Sequence, residues 1–151
     1  MLTARDIMNT NVIKVRENDT LRKVAELFLT HHISGAPVVD ENGRLVGVVT
    51  ESDLIFTTKK IHLPRTIAIL DAFFFLDSPE KMEKEMKKIA GSKVIDICTD
   101  NPVTVTPATT LEEVGTIMTE QKIHTLPVIE EGILVGIIGK TDIIKTMVQR
   151  S

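Results

Sequence analysis

Thr50 and Asp53 carry the most chemically suggestive spacing in the chain, within the run Gly47-Val48-Val49-Thr50-Glu51-Ser52-Asp53-Leu54. An apolar strand-like stretch ends in a hydroxyl, and three residues later a carboxylate opens a helix, so both polar groups face one space. A carboxylate accepts both hydroxyls of a vicinal diol, as in a ribose. The start of the helix adds unpaired N–H groups and partial positive charge, which suit a phosphate. The same residues also suit plain helix initiation, with Thr50 or Ser52 as the cap and Asp53 favouring the helix dipole. On these residues alone, that second account is the simpler one.

The run returns as Gly136-Ile137-Ile138-Gly139-Lys140-Thr141-Asp142-Ile143. Asp142 is kept, but Gly139 stands in place of the threonine, with Lys140 and Thr141 close by. Two sites of this kind would therefore differ in affinity. A second pair of segments precedes two prolines, His32-Ile33-Ser34-Gly35-Ala36-Pro37 and Ile123-His124-Thr125-Leu126-Pro127. Each leads into a strand with an apolar side chain on one side and a polar one on the other. Ile123 could cover a base and His124 could reach a phosphate, although a lone histidine more often serves a surface or a core. His31 and His32 sit at a helix end, where cations are favoured anyway.

Catalysis finds little support. The chain has no G-x-S-x-G elbow, no Walker-type loop, no H-E-x-x-H and no G-x-G-x-x-G. No base–nucleophile pair is visible, so an enzyme such as a nucleotide hydrolase is the weakest reading. The single cysteine, Cys98, sits beside Ile97 in an apolar context and reads as a packing residue. One cysteine also excludes a disulfide framework and any multi-cysteine metal site.

The elements that must position these groups come from a duplication. Residues 6–40 align with 96–130 at an offset of 90, and 43–55 align with 132–144, giving 16 identities over 48 positions. Among them are Asp6/Asp96, Asn11/Asn101, Thr20/Thr110, Pro37/Pro127, Gly47/Gly136 and Asp53/Asp142. Cys98 aligns with Met8. Each copy predicts a short strand (Val12 to Val15, Val103 to Val105), then a helix opening at Thr20 or Thr110. Thr110-Leu111-Glu112-Glu113 is a capping-box pattern. Leu21, Val24, Ala25, Leu27 and Phe28 form one buried stripe, as do Leu111, Val114, Ile117 and Met118. A hairpin follows, turning at Glu41-Asn42-Gly43 or Glu130-Glu131-Gly132. A last short helix starts near Ser52-Asp53 and near Thr141-Asp142.

The expected class is α+β, with two β-α-β-β-α repeats packed sheet to sheet about a pseudo-two-fold axis. A unit of about 50 residues buries too little surface by itself, and pairing two copies solves that. It also leaves two equivalent clefts at the junction, which are natural ligand sites. The expected divisions are a first repeat over 1–58, an insert over 59–92 and a second repeat over 93–151. Within the insert, Thr66 to Leu76 is strongly apolar, and Phe73-Phe74-Phe75 reads as buried against the repeats or as a subunit interface. Ser78-Pro79 then starts a charged helix running to about Ala90 and stopping at Gly91, with favourable Glu80/Lys84 and Glu83/Lys87 pairs.

The chain has 151 residues, 42% of them apolar and 26% charged, with a net charge of −3, which is ordinary for a soluble globular protein. No segment is basic enough for a nucleic-acid footprint, and without Trp or Tyr there is no aromatic stacking platform. No apolar run of 18 residues exists to span a membrane, and MLTARDIMNT has no secretory apolar region, so the cytosol is the expected compartment.

Two copies bearing P-V-V/I, an NG-type hairpin, G-h-h-T-x-x-D and a T-L-x-x-V helix start resemble a tandem pair of cystathionine-β-synthase (CBS) domains, a Bateman module. The resemblance covers roughly residues 3–57 and 93–149, and the insert resembles that of small stand-alone bacterial and archaeal CBS proteins. It implies a regulatory module that binds AMP, ADP, ATP or S-adenosylmethionine between its repeats, with no further cofactor or metal. The family's threonine and aspartate hold the ribose, and the pre-proline segment of the other repeat encloses the base. Carried over, one site pairs Thr50 and Asp53 with Thr99, Asn101, Val103, Ile123, His124 and Leu126. The other pairs Asp142 with Thr10, Val12, Ile33, Ser34 and Ala36, and Gly139 departs from the pattern there. The resemblance also implies a homodimer formed through helices, which the stripes at Leu54, Ile55, Ile143, Ile144 and Met147 would suit. With no effector domain attached, any output would act on an effector protein in trans. The competing expectation is a structural module with degenerate clefts that docks on a partner through the apolar insert.

Overall fold

A computed structural model of the chain describes residues 1–58 and 79–149. A helical turn α1 (Ala4–Ile7) precedes β1 (Val15–Arg16), α2 (Leu21–His31), the hairpin β2 (Gly35–Val39) and β3 (Leu45–Thr50), and α3 (Glu51–Thr57). After α4 (Pro79–Ala90) the order repeats: a 3-10 turn at Val94–Asp96, β4 (Thr99–Asp100), α5 (Leu111–Glu120), the hairpin β5 (Thr125–Glu130) and β6 (Ile133–Gly139), and α6 (Lys140–Gln149). The expected α+β pair of repeats is present.

Local chemistry sets the boundaries. Thr20 Oγ accepts from the Lys23 N–H at 3.2 Å, and Thr110 with Glu113 closes the anticipated capping box in both directions at 3.2 Å. The hairpins turn at Gly43 and Gly132, with φ of 78° and 80°, a left-handed conformation that glycine adopts without cost. Both hairpins shift register at equivalent places, between Val38 and Val39 and between Val128 and Ile129.

The repeats exchange their leading segments. Ala4 and Ile7, from the start of the chain, pack into the second core with Val105, Val114, Met118, Leu126, Val128 and Ile138. Val94, the equivalent of Ala4, packs into the first core with Val15, Leu21, Val24, Phe28, Ala36, Val38 and Val49. Matching backbone bonds fix the exchange: Ala4 N–H donates to Thr109 O at 2.7 Å and Val94 N–H to Asp19 O at 2.9 Å. Beyond the turn, β4 pairs antiparallel with β3 (Val48 opposite Thr99), and Asn9 bridges Ile137 in the same sense.

This exchange corrects the expected first strands. The segments before the expected strands Val12 to Val15 and Val103 to Val105, residues 3–9 and 94–100, reach across to the other repeat. Only Val15–Arg16, parallel to Val38–Val39, and a single Val105/Val128 bridge stay at home. The crossing segments press close. A Cβ on Gly47 would lie 2.8 Å from Cys98 Sγ, and one on Gly136 would lie 2.5 Å from Met8 Sδ. The aligned sulfurs thus sit on aligned glycines, each from the opposite half.

The apolar run Thr66 to Leu76, the Phe73-Phe74-Phe75 triplet and the Ser78 cap lie outside the described residues. The charged helix is α4, with Ile89 against the first core and an ion pair from Lys87 to Glu83 at 3.8 Å. The anticipated Glu80/Lys84 pair is not among the ion pairs of the described residues.

Candidate functional site

A cleft of about 480 Å³ opens where the leading segment of the second half crosses the hairpin of the first. That volume suits a small organic ligand. The first half contributes Ser34, Val48, Thr50, Glu51 and Ser52. The second contributes Thr99, Asn101, Pro102, Val103, Lys122, Ile123, His124, Thr125 and Lys140. Six residues predicted for one site, Thr50, Thr99, Asn101, Val103, Ile123 and His124, therefore share one wall system.

Two members of that predicted set stand apart. Leu126 is fully buried in the second core, so its side chain cannot line the cleft. Asp53 sits one turn into α3, with its carboxylate turned onto the cap. Asp53 Oδ2 accepts from the Thr50 N–H at 2.8 Å and the Thr50 hydroxyl at 3.1 Å, while Thr50 Oγ accepts from the Asp53 N–H at 3.3 Å. Helix capping and diol binding, the two competing accounts of T-x-x-D, draw on different parts of the group. The cap occupies Oδ2, and Oδ1 accepts no hydrogen bond among the described residues. An ionised carboxylate has about four acceptor positions, so the capped Asp53 keeps capacity for a hydroxyl.

The other predicted set is not gathered in this cleft, with Ser34 the exception. Ala36 is buried and Ile33 packs against the first core. Thr10 is exposed and Val12 half-buried. Asp142 repeats the posture of Asp53, accepting from the Gly139 N–H at 2.7 Å, but no hydroxyl joins it.

Sequence reasoning missed Lys122, Lys140, Glu51, Ser52, Val48, Pro102 and Thr125 as cleft residues. Lys122, Thr125 and Lys140 join the cleft because the two hairpins meet at Gly35 and Thr125, which brings the end of α5 and the start of α6 beside the first half. Lys122 follows α5 with φ of 55°, as His32 follows α2 with φ of 54°. That left-handed residue turns the chain sharply into the pre-proline segment. Gly35 has no room for a side chain: a Cβ there would run into Thr125 Oγ1, so the two pre-proline segments meet in close contact.

Charge in the cleft is mainly positive, with Lys122 and Lys140 set against the carboxylate of Glu51 and the His124 imidazole beside them. Burial pushes the Cys98 thiol up from its ordinary range, and Asp100 and Asp53 add to this, so it stays protonated at neutral pH. No group of three His, Cys, Asp or Glu among the described residues could hold a metal ion. A larger groove of about 1100 Å³ lies by Met1, Leu2, Leu111 and Ile117. Its charged side chains are Glu112 and Glu113, which disfavour a phosphate.

The sequence profile of the CBS domain matches this chain twice, at residues 4–59 and 94–149. The chain belongs to the CBS-domain family. Among relatives of this CBS pair, MJ1426 of Methanocaldococcus jannaschii is 28% identical, over 98% of this chain and 92% of that protein. MJ1225 of the same organism is 34% identical over 95% of this chain but only 42% of its own length. The solved structure of CBSX2 in complex with AMP superposes on the CBS pair with a TM-score of 0.75 and 26% identity, covering 99% of this chain and 98% of that one. No helix among the described residues is long and apolar enough to cross a membrane.

Proposed function

We propose that this CBS pair is a non-enzymatic regulatory module that binds AMP, ADP, ATP or S-adenosylmethionine at the junction of its repeats. The convergence of Thr50, Thr99, Asn101, Val103, Ile123 and His124 on one adenosine-sized cleft carries the reading. The likeness to CBSX2, solved in complex with AMP, supports it. In this reading Asp53 Oδ1 and the Thr50 hydroxyl take the ribose, Ile123 and Val103 cover the base, and His124 faces the phosphate. The second set, reduced to Asp142 with Thr10, Val12, Ile33 and Ser34 because Ala36 is buried like Leu126, is a weaker site: Gly139 has no hydroxyl and its N–H is already donated to Asp142. Both halves line the cleft, so a ligand that favours one arrangement of the repeats shifts the balance between arrangements. Calorimetric titration with each of the four ligands tests the proposal. A ligand at a hundredfold excess over its Kd is expected to stabilise the fold by about 2.7 kcal/mol. Heat and melting temperature unchanged by all four would overturn it.

The same reading includes a homodimer. Ile55 on α3 is 66% exposed, and Ile144 and Met147 on α6 are 57% and 68% exposed. Ile55 and Ile144 are equivalent positions in the two repeats, exposed apolar side chains that an isologous partner would cover. Light scattering at micromolar concentration is expected to give a dimer mass, and Ile144→Glu a monomer with an unchanged circular dichroism spectrum. A monomeric native chain would overturn the assembly.

A further inference from the structure

We propose that Lys122 and Lys140 make this cleft selective for phosphate-bearing adenosine ligands and turn away those whose sugar carries a cationic group. The inference rests on the adenosine-ligand reading and narrows it. Lys140 is the first residue of α6, a ten-residue helix. A cation there opposes the helix dipole, which favours acids at a helix start. The equivalent residue of the first repeat, Glu51, obeys that preference as the first residue of α3. A lysine placed against the local field and lining a cleft is accounted for by an anion bound in front of it. The unpaired N–H groups of the same helix start reinforce the attraction.

Lys122 supplies the second charge. Among the described residues, neither lysine forms an ion pair with a carboxylate. Glu51 is the one carboxylate residue lining the cleft with them, so a bound anion would meet an excess of positive charge. Lys122 is what sets this cleft apart. Applied to its lining, the repeat symmetry sets His32 in place of Lys122 at the opposite seam, while Glu51 and Lys140 exchange places. A nucleoside phosphate brings one or more negative charges to the lysine side. S-adenosylmethionine brings a sulfonium and an ammonium against a single carboxylate, a net positive charge that two lysine ammonium groups disfavour.

Titration calorimetry at one fixed ionic strength, with adenosine, AMP, ATP and S-adenosylmethionine, tests this on the native chain and on Lys122→Gln and Lys140→Gln. Each substitution is expected to weaken AMP about tenfold, the size of one lost charge-assisted hydrogen bond. Adenosine is expected to bind all three chains within about twofold, and raising salt should weaken AMP but not adenosine. Both lysines are exposed, so unchanged apo melting temperatures check that the variants fold. If S-adenosylmethionine binds the native chain as tightly as AMP, or the variants hold AMP unchanged, the selectivity is overturned while the adenosine reading stands. Failure of all four ligands to bind the native chain would overturn both.

Discussion

Asp53→Ala is expected to abolish ligand-dependent stabilisation at the Thr50 cleft and to lower the stability of the unliganded chain as well. The second effect follows from the cap. The Thr50 N–H and hydroxyl both lose their acceptor at the start of α3. Loss of an N-terminal cap costs about 1 kcal/mol, roughly 2–4 °C in melting temperature for a chain of this size. The ligand effect is larger, because the stabilisation of about 2.7 kcal/mol at hundredfold excess disappears with the ribose acceptor. Asp53→Asn separates the two roles. Its amide oxygen can still accept from the Thr50 N–H, so apo stability should hold. Its NH₂ replaces one acceptor with a donor, so the diol is no longer received by a carboxylate. Thermal melts with and without AMP read both effects. A ligand shift surviving in Asp53→Ala would show that Asp53 serves helix initiation alone.

Gly47→Ala is expected to be the most damaging single methyl in the chain. A Cβ there would stand 2.7 Å from the Thr99 carbonyl oxygen and 2.8 Å from Cys98 Sγ. The obstruction is backbone in an antiparallel pair, Gly47 opposite Asp100 and Val48 opposite Thr99, so no rotamer change relieves it. Overpacking of this kind costs about 1–3 kcal/mol. Thr99 lines the cleft, so ligand affinity falls together with stability. Gly115→Ala is the control. Its Cβ meets nothing within 4 Å on α5, and exchanging glycine for alanine in a helix gains about 1 kcal/mol. Chemical denaturation should move the two midpoints in opposite directions. Equal stability of Gly47→Ala and the native chain would mean that the crossing strand is held loosely.

The duplication made most of the architecture legible. Sixteen identities in register fix the same helices and hairpins twice, and Thr20, Thr110, Gly43 and Gly132 mark their ends by local chemistry alone. The exchange of leading segments was not legible. Ala4, Ile7, Val94 and Ile97 carry the same apolar signal whichever core receives them, since periodicity reports burial but not the partner. That ambiguity led to the overlong first strands. The same limit hid Lys122 and Lys140, which are cleft residues because the end of α5 and the start of α6 lie beside the hairpin of the first half. Thr50 was expected from its spacing to Asp53, and Asn101 from the family likeness alone. The cap that Asp53 makes was equally visible in T-x-x-D, and Leu126 was misplaced because strand alternation turns its side chain to the core.

One consequence of the exchanged leading segments concerns how such a chain assembles. Neither hydrophobic centre is complete within its own half: the earlier one waits for Val94, and the later one needs Ala4 and Ile7 from the far end. A single half made by itself would keep an unfilled socket and an unplaced arm, each fitting the other only in a second copy. Joined in tandem, the halves are the covalent form of an arm-swapped dimer. Cutting the tether would leave an interlocked pair rather than two independent pieces.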